Sequence, residues 1–199
     1  MAIVVDKDEK RRDIAMSCKE LLLERGIRDI TIAQLAKRAG VGKGTIYEYF
    51  ENKEDIVFEI ITVFMSEYEA KLIKTIESNK SSREKLYTFF AFIFEDSSYL
   101  KQMTIYREFL AISLLNGTDK MVDFSISCKV RFTIILEDII TYAIKRGELT
   151  TALLEFVPFM LIFEKGLIVD SKASSVDALS EIDRFVNMLF MINFTKEMR

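Results

Sequence analysis

The 199-residue sequence contains no histidine and no tryptophan, one proline (Pro158), seven glycines and two cysteines. Without histidine there is no Ser-His-Asp or Cys-His nucleophile, no histidine-ligated zinc and no imidazole pH switch. Cys18 and Cys128 lie far apart and supply neither a thiolate cluster nor a disulfide framework, so both are expected as buried free thiols in a reducing compartment. No metal and no cofactor is expected. The scarcity of proline and glycine, with no strict period-two alternation, excludes a turn-rich sheet protein and predicts an all-α chain. Long apolar runs are also missing: the densest, Leu86 to Phe94, falls short of the roughly 20 residues that cross a bilayer. Ile3-Val4-Val5 runs straight into Asp6-Lys7-Asp8-Glu9 rather than following a basic segment, unlike a secretion signal. A cytoplasmic protein with no membrane partner is the expectation.

What is present is apolar bulk, with 50% hydrophobic and 30% charged residues, enough to bury a core and too apolar for a disordered chain. The net charge of −3 is unevenly spread: residues 1–53 carry 11 basic and 9 acidic side chains, residues 54–199 carry 17 and 22. Gly26, Gly40, Gly42 and Gly44 crowd the N-terminal part, so a small turn-rich domain (1–53) is expected before a larger one (54–199).

Apolar spacing predicts a first helix from Lys7 to Arg25, with Ile14, Cys18, Leu21, Leu22 and Arg25 at i, i+4, i+7, i+8 and i+11 and Gly26 as its stop. Thr31-Ile32-Ala33-Gln34 has the form of a capping box opening a short helix that ends at Gly40. After Gly40-Val41-Gly42, a third helix over Lys43–Tyr49 turns Ile46 and Phe50 inward. Asn52 caps a long helix reaching Ser78. Five more are expected over 82–95, 98–115, 119–146, 151–169 and 174–196, with Pro158 bending the eighth or marking its beginning, which makes nine in all.

With Ile46 and Phe50 inward, the third helix shows Gly44, Thr45, Tyr47 and Glu48 to solvent, with Lys43 at its start. The second helix of a helix-turn-helix enters the DNA major groove N-terminus first, and a glycine there allows close backbone approach. Backbone N–H groups opening the second, third and fourth helices, beside Thr31, Thr45 and Lys53, suit phosphates. Of the other basic residues, Arg28 in the loop before Thr31 is best placed for a phosphate, ahead of Arg11, Arg12, Lys37 and Arg38, which read as solvated surface.

The run from Thr31 to Ile56, TIAQLAKRAGVGKGTIYEYFENKEDI, resembles the signature of the tetracycline-repressor (TetR) family of bacterial transcription regulators. The resemblance covers about the first third of the chain and implies an all-α fold with a three-helix DNA-binding head on a larger ligand-binding and dimerisation bundle. By position it implies DNA contact at Thr31, Lys43, Gly44, Thr45, Tyr47, Tyr49 and Lys53. Gly42 stands where the family usually has Ser or Thr, Glu48 at its frequent second Tyr, and Tyr49 at its frequent His. Glu48 is repelled by phosphate but can accept a hydrogen bond from a cytosine amine, which makes it a specificity candidate.

Aromatic residues recur densely from Phe89 to Phe163, and the plain reading of each is helix-bundle core. The resemblance implies an inducer among the middle helices, near some of Phe64, Tyr68, Phe92, Tyr106, Phe109, Leu110, Ser113, Phe132, Leu136 and Phe163. So much Phe, Ile and Met suits a small apolar or amphipathic molecule better than a sugar or nucleotide. Arg107 and Glu108 are candidates to anchor a head group, or else surface residues. The last two helices are apolar on more than one face, and Phe156, Met160, Phe163, Leu167, Leu179, Ile182, Val186, Leu189 and Phe190 are candidates for a homodimer interface.

The expected function is therefore a ligand-released repressor that binds double-stranded DNA at a palindromic operator as a homodimer. One alternative is a DNA-binding protein of the same fold controlled by a protein partner. An enzyme on a helical bundle lacks support, since the sequence offers no metal-ligand set, no phosphate loop and no nucleophile beside a base.

Overall fold

A computed structural model describes residues 6–194. Its elements are α1 (Lys7–Arg25), α2 (Ile32–Ala39), α3 (Lys43–Tyr49), α4 (Lys53–Ser78), α5 (Ser82–Glu95), α6 (Ser97–Asn116), α7 (Asp119–Lys145), a 3-10 segment (Thr151–Phe156), α8 (Val157–Ala173) and α9 (Ala178–Phe194). These nine α-helices, with no strand among the described residues, make the all-α fold that was expected. Ile3 to Val5 and Lys196 lie outside the described residues.

Local chemistry sets most helix ends. Asp6 accepts the N–H of Asp8 at the start of α1, and Gly26, at φ 70°, ends it with its N–H on the carbonyl of Leu22. Thr31 and Gln34 form the reciprocal capping box of α2, and Ser81 and Glu84 form another at α5. Such a cap is worth about 1 kcal/mol. Gly40, left-handed at φ 67°, closes α2 with its N–H on the carbonyls of Ala36 and Lys37.

The boundaries of the last two helices differ most from expectation. The helix predicted over 151–169 begins at Val157, preceded by the 3-10 segment, and Pro158 sits in its first turn. There its missing N–H has no intrahelical partner to lose, so proline marks the beginning and bends nothing. The last helix starts at Ala178 rather than 174, after Asp177 accepts the Ser180 hydroxyl at 2.7 Å.

The chain forms two compact units, Met1–Glu67 with Ser98–Phe124, and Tyr68–Ser97 with Ser125–Arg199. They do not coincide with 1–53 and 54–199: the first half of α4, nearly all of α6 and the start of α7 belong with the N-terminal helices. Side-chain packing explains the grouping. Ile105 and Phe109 of α6 are buried in one cluster with Ile14, Cys18 and Leu22 of α1, Leu35 of α2, Ile46 and Phe50 around α3, and Ile56 and Ile60 of α4. Phe58, Phe109 and Phe124 interlock, with ring centroids 5.5–6.2 Å apart.

The second unit is held by its own aromatic core. Phe163 of α8 stacks on Phe185 of α9 at 4.3 Å, and Phe90 of α5 meets Phe185 edge-on at 5.4 Å. Tyr68 touches Phe92 and Phe132. On the surface, Arg83 of α5 pairs with Asp183 of α9 at 2.7 Å. Both cysteines are buried free thiols, as expected. No described helix is long and apolar enough to cross a membrane.

Candidate nucleic-acid interface

The α3 segment is anchored from beneath and bare on top. Ile46 and Phe50 are fully buried, which fixes the rotation of α3 about its axis. That rotation leaves Tyr47 60% exposed, with Lys43, Gly44 and Glu48 also exposed and Thr45 half-buried. The side chains of Lys43, Tyr47 and Glu48 make no hydrogen bond or ion pair with another described residue, so their polar groups face outward unspent. A Cβ built on Gly44 would meet nothing within 4 Å, and one on Gly42 only the Thr45 hydroxyl at 4.0 Å. The fold therefore does not require glycine at 44, and a side chain there would project into open space.

Tyr49 is half-buried at the end of α3, and Thr31 and Arg28 are exposed at the start of α2 and in the loop before it. The Thr31 hydroxyl is engaged with Gln34 in the capping box. Lys53 faces the protein. Its ammonium donates to the carbonyls of Ile27 (2.7 Å), Arg28 (3.3 Å) and Ile30 (3.2 Å), matching its three protons with three acceptors. It ties the start of α4 to the loop that delivers α2.

Two residues outside the expected set hold this head together. Arg11 of α1 pairs with Asp55 at 2.9 Å and Glu59 at 2.8 Å on α4, donates to the carbonyl of Tyr49, and lays its guanidinium 4.4 Å over the Phe50 ring. Burial works against its charge, but the hydrogen bonds to Glu59 and Asp55 outweigh burial and hold the guanidinium protonated. Glu108 of α6 accepts the N–H of Ile27 with both carboxylate oxygens, at 2.9 and 3.1 Å. Burial pushes its pKa up, opposed by that hydrogen bond and by the charges of Arg28 and Lys53. No local pattern could have revealed either tie, because the partners lie tens of residues away.

The ten residues expected near a ligand fall in both units. Phe64, Tyr106, Phe109, Leu110 and Ser113 belong to the first, and Phe64 and Phe109 are buried in its core. Tyr68, Phe92, Phe132, Leu136 and Phe163 belong to the second, where Tyr68, Phe132 and Leu136 are buried. An open groove of about 410 Å³ in the second unit, lined by isoleucines and Tyr142 with the cations Lys85 and Arg131 and the acids Glu69, Glu77 and Asp138, includes none of the ten.

Of the residues expected at a dimer interface, Met160, Leu167, Ile182, Val186 and Leu189 are buried within the chain itself, and Phe163, Leu179 and Phe190 are half-buried. Only Phe156 among them is exposed. The apolar surface these helices leave uncovered is a different one: Phe159, Ile162 and Val169 on α8 and Met188 and Met191 on α9, each 48–67% exposed. The i, i+3, i+10 spacing of the α8 residues carries that stripe in the sequence, but a helix apolar on two faces does not show which face turns inward.

Comparison with known proteins places the chain. The family model described as bacterial regulatory proteins, tetR family, matches residues 18–60, the stretch from mid-α1 into α4. The fatty acid metabolism regulator protein of Bacillus subtilis (strain 168) is 34% identical over 80 residues, 40% of this chain and 41% of that protein. The HTH-type transcriptional repressor KstR2 of Rhodococcus jostii (strain RHA1) is 31% identical over 80 residues, 40% of this chain and 39% of that one. The chain thus spans about two fifths of the length of the curated relatives it matches. Among solved structures, a TetR-family transcriptional regulator from Rhodococcus sp. superposes with a TM-score of 0.74 at 19% identity, covering 92% of this chain and 99% of that one. The regulator FadR from Bacillus subtilis, solved in complex with stearoyl-CoA, superposes with a TM-score of 0.63 at 22% identity, covering 89% and 96%. At these identities the structural likeness establishes the fold.

Proposed function

Because the chain belongs to the tetR family of bacterial regulatory proteins, we propose that it is a transcriptional repressor that binds a palindromic operator as a homodimer and is released by a hydrophobic or amphipathic ligand. The observation that carries this reading is the α3 face, where Lys43, Gly44, Tyr47 and Glu48 stand clear of a core that holds Ile46 and Phe50. A helix so presented can lie in a major groove with its N-terminal residues on base edges, and a two-fold dimer places the second copy about 34 Å away.

Lys43 supplies charge to a backbone phosphate, Gly44 lets the helix approach closely, and Tyr47 and Glu48 reach bases. Lys53 and Arg11 act as positioning residues, which keep α2, α3 and α4 in register. The uncovered apolar stripe of α8 and α9 supports self-association, since two such helices from each of two chains bury one another as a four-helix interface. The ligand class is supported by the aromatic interiors of both units and by relatives named for fatty acid regulation or solved with a long-chain acyl thioester.

Footprinting on the DNA upstream of the protein's own gene, with light scattering on the complex and a titration of oleoyl-CoA, tests the reading. The expected result is a two-fold symmetric footprint, a dimer, and release by the amphiphile. Specific binding that no amphiphile releases contradicts the ligand-controlled form and favours control by a protein partner.

A further inference from the structure

We infer that Arg107 is the group that recognises the anionic end of the ligand, so that the protein responds to an amphipathic anion rather than to a neutral apolar molecule; the inference rests on the ligand-controlled reading above. Three arginines are half-buried among the described residues, Arg11, Arg107 and Arg131. Arg11 is paired with Asp55 and Glu59, and Arg131 with Glu69 at 2.6 Å. Arg107 has no carboxylate within ion-pair distance among the described residues, and its Nε is shut off from solvent without a hydrogen-bond partner. Its neighbour Glu108 is turned instead onto the Ile27 N–H and forms no ion pair with Arg107. Burial alone acts on the Arg107 charge and pulls its pKa down, with no opposing carboxylate.

A half-buried cation left without a counter-ion is unfavourable in a fold that pairs its other half-buried arginines. An anion from outside the chain removes that cost, and a guanidinium accepts a carboxylate or phosphate through two parallel hydrogen bonds. The adjoining surface selects the rest of the molecule. Within one helical turn of Arg107 on α6 stand Met103, buried, Leu110, half-buried, and Thr104, exposed, so apolar side chains adjoin the charge, as the amphipathic ligand proposed above requires. The ligand class is a long apolar chain ending in a carboxylate or a phosphate-bearing group.

Calorimetric titration of the full-length protein with oleate, oleoyl-CoA and uncharged oleyl alcohol tests this, together with the variants Arg107→Gln and Arg107→Lys. The expected result is that Arg107→Gln weakens the preferred anionic ligand by about tenfold or more, leaves oleyl alcohol within about twofold, and that Arg107→Lys recovers part of the loss. Preference for oleate or for oleoyl-CoA identifies the head group as carboxylate or phosphate. The melting temperature of ligand-free Arg107→Gln is expected to equal or exceed that of the parent, since an unpaired buried charge is removed. Equal binding of the anion by parent and Arg107→Gln, or a lowered ligand-free melting temperature with parallel losses for all three probes, overturns the inference and makes Arg107 a structural residue. A parent protein that binds none of the three overturns the ligand-controlled reading itself, and this inference with it.

Discussion

The carboxylate of Glu108 on α6 sits on the backbone N–H of Ile27, 81 positions earlier, and closes over Gly26 so tightly that a Cβ there would lie 2.6 Å from Oε1. The turn that ends α1 is thus built around a side chain of the sixth helix. Gly26→Ala meets both that contact and a left-handed φ of 70°, and is expected to lower stability by more than about 1 kcal/mol. Glu108→Ala leaves the Ile27 N–H unpaired, at a cost of about 1–3 kcal/mol. Urea midpoints of the two variants check both values. A double variant is expected to lose less than the sum, because Glu108→Ala removes the carboxylate that the new Cβ at position 26 meets.

Lys53 and Lys43 separate the structural role from the proposed recognition role. Lys53→Met strips three carbonyls of their donor and is expected to destabilise the fold by about 1.5–3 kcal/mol. Its DNA affinity falls with the same midpoint shift. Lys43→Ala leaves no described partner behind, so its melting temperature stays within a degree or two while DNA affinity falls and the salt dependence of binding loses about one phosphate's worth of slope. Thermal melts beside salt-dependent fluorescence anisotropy distinguish the two.

Gly44→Ala is expected to raise stability by about 0.4–1 kcal/mol, because the site is helical and open and alanine restricts the unfolded chain. On the proposed reading, the same methyl group stands on the face that approaches DNA. Operator affinity is therefore expected to fall while stability rises, an inverse pairing that denaturation and binding assays on one variant would show.

Glu164 lies on α8 with Met160, Leu161, Leu167 and Ile168, which are buried on either side of it in sequence. Burial, only partly offset by Lys165, pushes its pKa from 4.5 to about 7. The folded protein keeps this proton where the unfolded chain has already lost it, so the contribution of Glu164 to stability falls as pH rises from about 4.5 through 7 and levels off above. Glu164→Gln is expected to flatten the decline in melting temperature over that range, as a pH series of thermal melts would show.

The head was legible in the sequence where its structure is set locally. The box of Thr31 and Gln34, the left-handed Gly40, and the inward pair Ile46 and Phe50 each follow from residues within one or two turns. Pro158 was ambiguous because proline fits a first turn and kinks an interior, and the residues before it decide which. Long-range ties were invisible. Arg11 read as solvated surface until α4 brought Asp55 and Glu59 to it, and Lys53 read as a phosphate contact because spacing does not say which way a flexible side chain turns. The surface of α8 and α9 was hidden for the opposite reason, too many apolar positions rather than too few, so that Phe159 and Ile162 could not be told from the buried Met160 and Leu161.

The central claim, that the outer face of α3 reads DNA, is tested most directly by operator binding of the Lys43→Ala, Tyr47→Ala double variant in fluorescence anisotropy. The account predicts that specific binding disappears while helicity, melting temperature and dimer mass match the parent. Undiminished binding by a folded double variant would contradict it.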